Sequence, residues 1–312
     1  MLDIVIPTYN RSKLLKYLLK DISRICMELS ITIYILDDST DNKTELYCKN
    51  LCQKEFPIKY KKNQPSLGHD KNLIAALKSS NSDYVWLLGD SIVINDYSIK
   101  SVYKLCKEAR YSIIAMNAEG RDLDLKSGVY DNNEFILKNL GWHLTLTGAT
   151  VYSRDVIDKM DNFHLERFRN FPQFSLIFHF LADKSKFYWI NRKILASHPS
   201  KKSYWLNDVF SVFLMDWWHV IISLPDTYSS DVKFDAWKNH SLKTNLFTIK
   251  TLLNMRYTGV YNYSEYLTYR NYLFSHSRLN PIILFLLSIF PVIFLSTGFT
   301  VSEYFRELLQ KK

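Results

Sequence analysis

Three short polar runs each follow an apolar run: Thr8-Tyr9-Asn10-Arg11 after Leu2 to Pro7, Asp37-Asp38-Ser39 after Ile31 to Leu36, and Gly89-Asp90-Ser91 after Tyr84 to Leu88. Hydroxyls, an aromatic ring, a guanidinium and carboxylates therefore stand at the exits of three strands. A nucleoside diphosphate sugar asks for such a set. It needs a surface for the base, an acceptor for base or ribose hydrogens, cations for the diphosphate, and stabilisation of the leaving group. Tyr9 can stack on a base and Asp38 can accept from ribose or base N–H groups. Lys71 opens a helix after the Pro65-Ser66-Leu67-Gly68 turn, where the positive helix end helps it meet phosphate. Asp90 can hold a divalent ion that bridges phosphates.

Each of these residues has a plainer use. Asp37-Asp38 can cap a helix or shape a turn, Tyr9 is one of 21 tyrosines, and Lys71 can be a solvated helix residue. Asp90 is harder to explain away, because a carboxylate at the exit of a buried strand is costly unless it is paired, capping or liganding. His198 divides between a ligand and a satisfied structural histidine. Trp142 and His143 divide between an acceptor pocket and the core.

The elements that must position these residues follow from periodicity. Leu14, Leu15, Leu18, Leu19 and Ile22 recur at helical spacing after the first strand. Strands over 31–36, 58–60 and 84–88 alternate with helices over 46–52 and 73–77. This pattern predicts a mostly parallel central sheet with helices on both faces. In such sheets ligands bind beyond the carboxyl ends of the strands, where the polar runs fall. The chain has 312 residues, 47% hydrophobic, with eight Gly and eight Pro, enough for a full core and unlike fibrous or linker-rich proteins. Its net charge of +9 invites a polyanion, but the basic residues are scattered and form no nucleic-acid motif, so nucleic acid is not expected as a partner. Cys26, Cys48, Cys52 and Cys106 form neither a C-x-x-C pair nor a Cys/His quartet and are read as reduced thiols. With no signal peptide ahead of the first strand, the catalytic part is expected in the cytoplasm.

In Ile4-Val5-Ile6-Pro7-Thr8-Tyr9-Asn10-Arg11, Leu36-Asp37-Asp38-Ser39-Thr40-Asp41, Asn63 through Leu67-Gly68-His69-Asp70-Lys71-Asn72, and Leu87-Leu88-Gly89-Asp90-Ser91, the sequence resembles glycosyltransferase family 2 of the GT-A fold. Gly148-Ala149-Thr150-Val151-Tyr152-Ser153-Arg154 is similar to the family's strand beside the acceptor site. The resemblance implies inverting sugar transfer, usually with Mg²⁺ or Mn²⁺. It places Pro7, Thr8, Tyr9, Asn10, Arg11, Asp38, Lys71, Asn72 and Gly89 on the nucleotide, and Asp90 in catalysis and on the metal. Two departures matter. Leu88-Gly89-Asp90-Ser91 offers one carboxylate where the family commonly shows D-x-D, so His198 is the candidate second metal ligand. Where the family supplies a Glu-Asp base, this chain reads Asn170-Phe171-Pro172-Gln173. Glu166 is then the candidate base, with Asp161 and Asp183 nearby and His69 and Asp70 as an alternative.

Near Leu206 the character changes, dividing the chain into a GT-A catalytic domain over 1–205 and a helical membrane-association region over 206–312. Val209 to Leu224 is rich in Phe, Trp and Ile, and Pro281 to Thr297 is almost wholly apolar. That second run is at the short end of a bilayer span and Pro291 interrupts it, so an interfacial helix or a core helix competes with a true span. Arg278 before it and Lys311 and Lys312 after it leave its orientation open. The composite expectation is a glycosyltransferase at the cytoplasmic face of the inner membrane, acting on a lipid-linked glycan in surface-polysaccharide assembly. A silent homologue that binds nucleotide or scaffolds partners is the rival. A nucleotidylyltransferase is disfavoured, since no G-x-G-T-R loop follows the first strand.

Overall fold

The computed structural model describes residues 1–52, 56–108, 110–183 and 186–295. Ser296, Thr297, Lys311 and Lys312, the end of the apolar run and its basic flank, lie outside the described residues. By packing, the chain forms two compact units, Met1–Lys201 with His219–Ala236, and Lys202–Trp218 with Trp237 onward.

The first unit is α/β. Its strands are β1 (Leu2–Thr8), β2 (Ile33–Asp37), β3 (Ile58–Lys62), β4 (Tyr84–Leu87), β5 (Ile92–Ile94), β6 (Ile113–Ala118), β7 (Gly128–Tyr130), β8 (Thr150–Ser153) and β9 (Phe187–Ser197). Its helices in this stretch are α1 (Ser12–Glu28), α2 (Lys43–Cys52), α3 (His69–Leu77), α4 (Asp96–Glu108), α5 (Asn133–Leu144), α6 (Arg154–Asp158) and α7 (Pro172–Leu181). The strands form one sheet in the order β3-β2-β1-β4-β8-β6-β9-β5, with β7 paired to β9. β1 to β4 are mutually parallel, as are β6 and β9, while β8, β5 and β7 run against their neighbours. The alternating order read from the sequence is the observed one.

The composition explains the layers. β1 is buried along almost its whole length, as a strand covered on both faces must be. α1 buries Leu15, Leu18, Leu19, Ile22, Ile25 and Cys26, one stripe at helical spacing, and this stripe joins Ile4, Ile6, Ile33, Ile35 and Trp86 in one core cluster. Cys26, Cys48 and Cys106 are free thiols, and burial pushes Cys26 and Cys106 up to about 12, so they are protonated packing groups. The consequence for the site lies in the register. β1 sits between β2 and β4, with Thr8 opposite Asp37 and Val5 opposite Leu87, so the polar runs after all three strands emerge at one sheet edge.

Beyond β9 the described chain is helical: a 3-10 turn over Tyr204–Leu206, a π-helical run over Ser211–Asp216, then α8 (Trp217–Ile222), α9 (Ser230–Lys243), α10 (Ile249–Tyr257), α11 (Tyr263–His276) and α12 (Pro281–Ile289). The aromatic stretch read as suited to a membrane interface is mostly interior. Val209, Phe210, Trp217, Val220 and Ile221 are buried, and within the second unit the Trp217 indole donates to the Trp237 carbonyl at 3.2 Å. Those side chains serve packing because the helices fold them inward. α12 differs. It buries Leu284, Leu287 and Ser288, takes a hydrogen bond from Tyr261 Oη on the Leu284 carbonyl, and leaves Ile282 and Leu286 exposed. It stops after nine residues, just before Pro291. Among the described residues no helix is long and apolar enough to cross a membrane.

Candidate active site

The site is built around Asp90. Thr8 closes β1, and its hydroxyl donates to Asp90 Oδ2 at 2.9 Å; Arg11 Nη1 meets Asp90 Oδ1 at 3.3 Å. Asp90 is 4% exposed. Burial pushes its pKa above the ordinary carboxylate value, and the Arg11 charge, then the Thr8 hydrogen bond, pull against that rise without cancelling it. A buried carboxylate with a raised pKa and a specific charge partner at a strand exit is a candidate functional group.

Asp38 is placed differently. Its carboxylate accepts from Asn63 Nδ2 at 3.0 Å, Ser66 Oγ at 2.6 Å, Leu67 N at 2.7 Å and Gly68 N at 2.8 Å, and it is 2% exposed. Burial works to raise its pKa, but these hydrogen bonds, led by Ser66, outweigh it and hold the group below the usual carboxylate range. Asp38 thus shapes the turn that leads into α3, and Gly68 can follow it there because its φ of +80° lies in the left-handed region. Asp37 is fully buried as well, accepting from Ser39 N and Tyr60 Oη. On the neighbouring loop Asn10 also takes a left-handed φ of 51°, receives Thr40 N on its amide oxygen, and donates its own backbone N to Ser39 Oγ. The loops after β1 and β2 are therefore stitched together, and Tyr9, 52% exposed, projects from the stitched pair.

At the start of α3, Asn72 is buried, accepts from Asn63 and donates to the Leu36 carbonyl, so it ties the helix to β2. Lys71 is exposed in the first turn of that helix. Its neighbours form a dyad: His69 Nδ1 lies 2.7 Å from Asp70 Oδ1, and Asp70 Oδ2 accepts from the backbone N of Asn170 at 3.0 Å. The segment that carries no Glu-Asp pair is thereby held beside a histidine and a carboxylate. Glu166 is exposed on a 3-10 turn (Leu165–Arg167), 3.7 Å from His164. Asp161 pairs with Lys78, and Asp183 lies 3.9 Å from Lys159. Trp142 and His143 are both buried. Burial pushes His143 down to about 3, so it is a neutral core ring, packed edge-on against Trp189.

His198 directly follows β9. Its backbone N donates to the Ser91 carbonyl at 2.8 Å, and its own carbonyl receives Lys201 N at 2.9 Å. Its ring stacks on Tyr17 at 5.2 Å, and Nδ1 receives Ser200 N at 3.1 Å. The donor set for a metal is thin: Asp90 has each oxygen engaged by Thr8 or Arg11, and His198 has one ring nitrogen engaged. Among the described residues no group of three or more His, Cys, Asp or Glu side chains could hold an ion. The residues present do not fit a divalent ion held by the protein alone. Two cations that no motif pointed to complete the neighbourhood. Lys201 interacts electrostatically with Arg121, Arg11 and Asp90, and Arg121 Nη1 is fixed by the Trp142 and His143 carbonyls and by Thr145 Oγ1. The paired basic residues Lys201-Lys202 after His198 were the only sequence signal, and Arg121 had none because its anchors lie more than 20 residues away on α5.

A sheet of this order, with its polar strand exits gathering the buried carboxylates Asp37, Asp38 and Asp90, defines an α/β protein of the GT-A type. The chain belongs to glycosyl transferase family 2, whose profile matches residues 3–192. Over 107 residues it is 35% identical to the abequosyltransferase RfbV of Salmonella typhimurium; the match takes in 33% of this chain and spans about a third, 32%, of that relative. Among solved structures it is similar to TarS 1-349 of S. aureus in complex with UDP-GlcNAc, with a TM-score of 0.60 at 13% identity over 87% of this chain and 79% of that one. It is also similar to the mannosyltransferase PcManGT of Pyrobaculum calidifontis in complex with GDP-Man and Mn²⁺, with a TM-score of 0.55 at 12% identity over 88% and 85% of the two chains. At these identities the structural likeness speaks for the fold.

Proposed function

We propose that the chain moves a sugar from a nucleotide-sugar donor to a hydroxyl of a lipid-linked glycan, with inversion, at the cytoplasmic face of the inner membrane during assembly of a surface polysaccharide. The observation that carries the donor half is the Thr8, Arg11 and Asp90 network at the shared exit of β1 and β4, bounded by the Asp38 turn and by exposed Tyr9 and Lys71. The stretch shared with an abequosyltransferase and the folds shared with proteins solved with UDP-GlcNAc and GDP-Man support the same reading. Transfer requires that the acceptor hydroxyl lose its proton as it attacks the anomeric carbon while the sugar–phosphate bond breaks. Glu166 is the candidate from sequence. The His69 and Asp70 dyad is the second, favoured by its contact with Asn170. A Mg²⁺ or Mn²⁺ ion arriving with the diphosphate is one source of charge compensation, as the mannosyltransferase solved with Mn²⁺ suggests.

The membrane half of the reading draws on the exposed apolar side chains of α12 and the residues after it, which offer a lipid surface a face without a span. A screen of UDP-, dTDP-, CDP- and GDP-sugars for hydrolysis and for transfer to lipid extracts tests the whole. Turnover of one donor is expected. Nucleotide binding with no turnover of any donor would instead favour the silent homologue.

A further inference from the structure

Around Asp90 the cations outnumber the anions. Arg11 is bonded to it, and the 198–201 turn, anchored through His198 N to the Ser91 carbonyl, brings Lys201 to the same loop. Lys201 is half-buried, and its ammonium has no hydrogen-bonded acceptor among the described residues. Arg121 stands rigidly at the carboxyl end of α5, held there by two carbonyls and a hydroxyl. Burial drives the Lys201 pKa down, the Arg121 and Arg11 charges drive it further, and Asp90 opposes them. Arg11 and Lys201 act on the one carboxylate, and Arg121, its Nη1 held by the α5 carbonyls and Thr145, adds its charge beside Lys201, so the cluster is short of negative charge, a demand that an arriving anion meets. A multiply charged oxyanion answers that demand, whereas a divalent cation would add to the excess and would have to displace Arg11 or Thr8 from Asp90.

We propose that Arg11, Arg121 and Lys201 together carry the charge of the donor's diphosphate, so that the chain binds a nucleoside diphosphate without a divalent ion. The proposal rests on the donor-site reading above and deepens it. Asp90 then acts as the fixed counter-charge that orients Arg11 and holds the cluster assembled before the ligand enters. Pre-oriented guanidinium and ammonium groups of this kind stabilise a leaving diphosphate as its charge develops, with no reorganisation at the moment of bond breaking.

Isothermal titration of the full chain with UDP, GDP, CDP and dTDP in turn, in EDTA and then in Mn²⁺, tests this. One nucleotide is expected to bind in EDTA within a few-fold of its affinity in Mn²⁺. Lys201→Met should weaken that binding by about 10-fold or more, the loss of one charge-assisted contact, and Lys201→Arg should restore most of it. Lys104→Met, which removes an equal charge from the exposed face of α4, should leave it unchanged. Circular dichroism melts of each variant separate loss of binding from loss of fold. Binding only with Mn²⁺, or equal binding by a folded Lys201→Met, overturns the inference while leaving the donor site standing. Binding of no nucleotide in either medium overturns the donor-site reading itself.

Discussion

Arg11 Nη1 lies 3.3 Å from Asp90 Oδ1, and this ion pair opposes the rise in pKa that burial imposes on a nearly inaccessible carboxylate. Because burial raises the Asp90 pKa, the folded protein binds that proton more tightly than the unfolded chain does. Its ionisation therefore withdraws stability as pH rises through the folded value. Asp90→Asn removes that cost and leaves Arg11 partly hydrated. Transfer is expected to fall by about 10²–10³-fold, while the melting temperature at neutral pH stays level or rises. A matching loss of melting temperature would make Asp90 a structural residue, and near wild-type turnover would remove it from the mechanism.

Asp38 shows the opposite sign. Its folded pKa is held low by the four donors of the 63–68 turn, so its contribution to stability is fully present above the unfolded aspartate value of about 3.9 and is lost as pH falls through the lower folded value. Asp38→Ala should destabilise the protein by about 1–3 kcal/mol by stranding the Leu67 and Gly68 amides. It should also flatten the decline of melting temperature between neutral and acid pH. If the turn positions the nucleotide, donor KM rises more than kcat falls. An unchanged melting curve would show that the four hydrogen bonds contribute nothing net.

The strand and helix order of the nucleotide half was legible because each strand is a short buried run and each helix a stripe at its own period, with polar residues confined to strand exits. Asp90 stood out for the same reason, as the carboxylate that such a strand cannot hide cheaply. That Asp38 can shape a turn was legible from its type, but which turn was not, since its four donors come from residues 25 to 30 positions away and no local pattern announces them. Lys201 and Arg121 were missed on similar grounds, because they reach the site through the 198–201 turn and through α5, contacts fixed by tertiary packing. Val209 to Leu224 was read as interfacial from composition alone, and composition does not distinguish an aromatic core from an aromatic belt.

The proton acceptor is separable by two substitutions. Glu166→Gln should abolish transfer with donor affinity unchanged if that exposed carboxylate is the base. If the His69 and Asp70 dyad is the base instead, Glu166→Gln is silent and His69→Gln lowers kcat by about 10²–10⁴-fold. Asp70→Asn should then lower kcat less severely, since it would leave the ring in place but no longer oriented by its carboxylate. Full activity in all three variants would exclude both candidates and send the search to Asp161 and Asp183.

Membrane attachment is the last matter, and α12 makes it testable residue by residue. Ile282 is 66% exposed, Leu286 52%, Ile293 72% and Phe294 64%, although the same segment packs Leu284 and Leu287 inward. A short helix with one seated face and one apolar outward face cannot span, but it can lie in the headgroup region, where each buried side chain of this size is worth roughly 1.5–3 kcal/mol. The full chain should therefore float with vesicles containing anionic lipid and need detergent for release. Leu286→Asp with Ile293→Asp should leave it in the aqueous fraction while sparing nucleotide binding, and should slow transfer to a lipid-linked acceptor far more than transfer to a short soluble analogue. Were the unmodified chain to remain in the aqueous fraction, the outward apolar face would belong to a protein contact and the acceptor would have to be sought away from the bilayer.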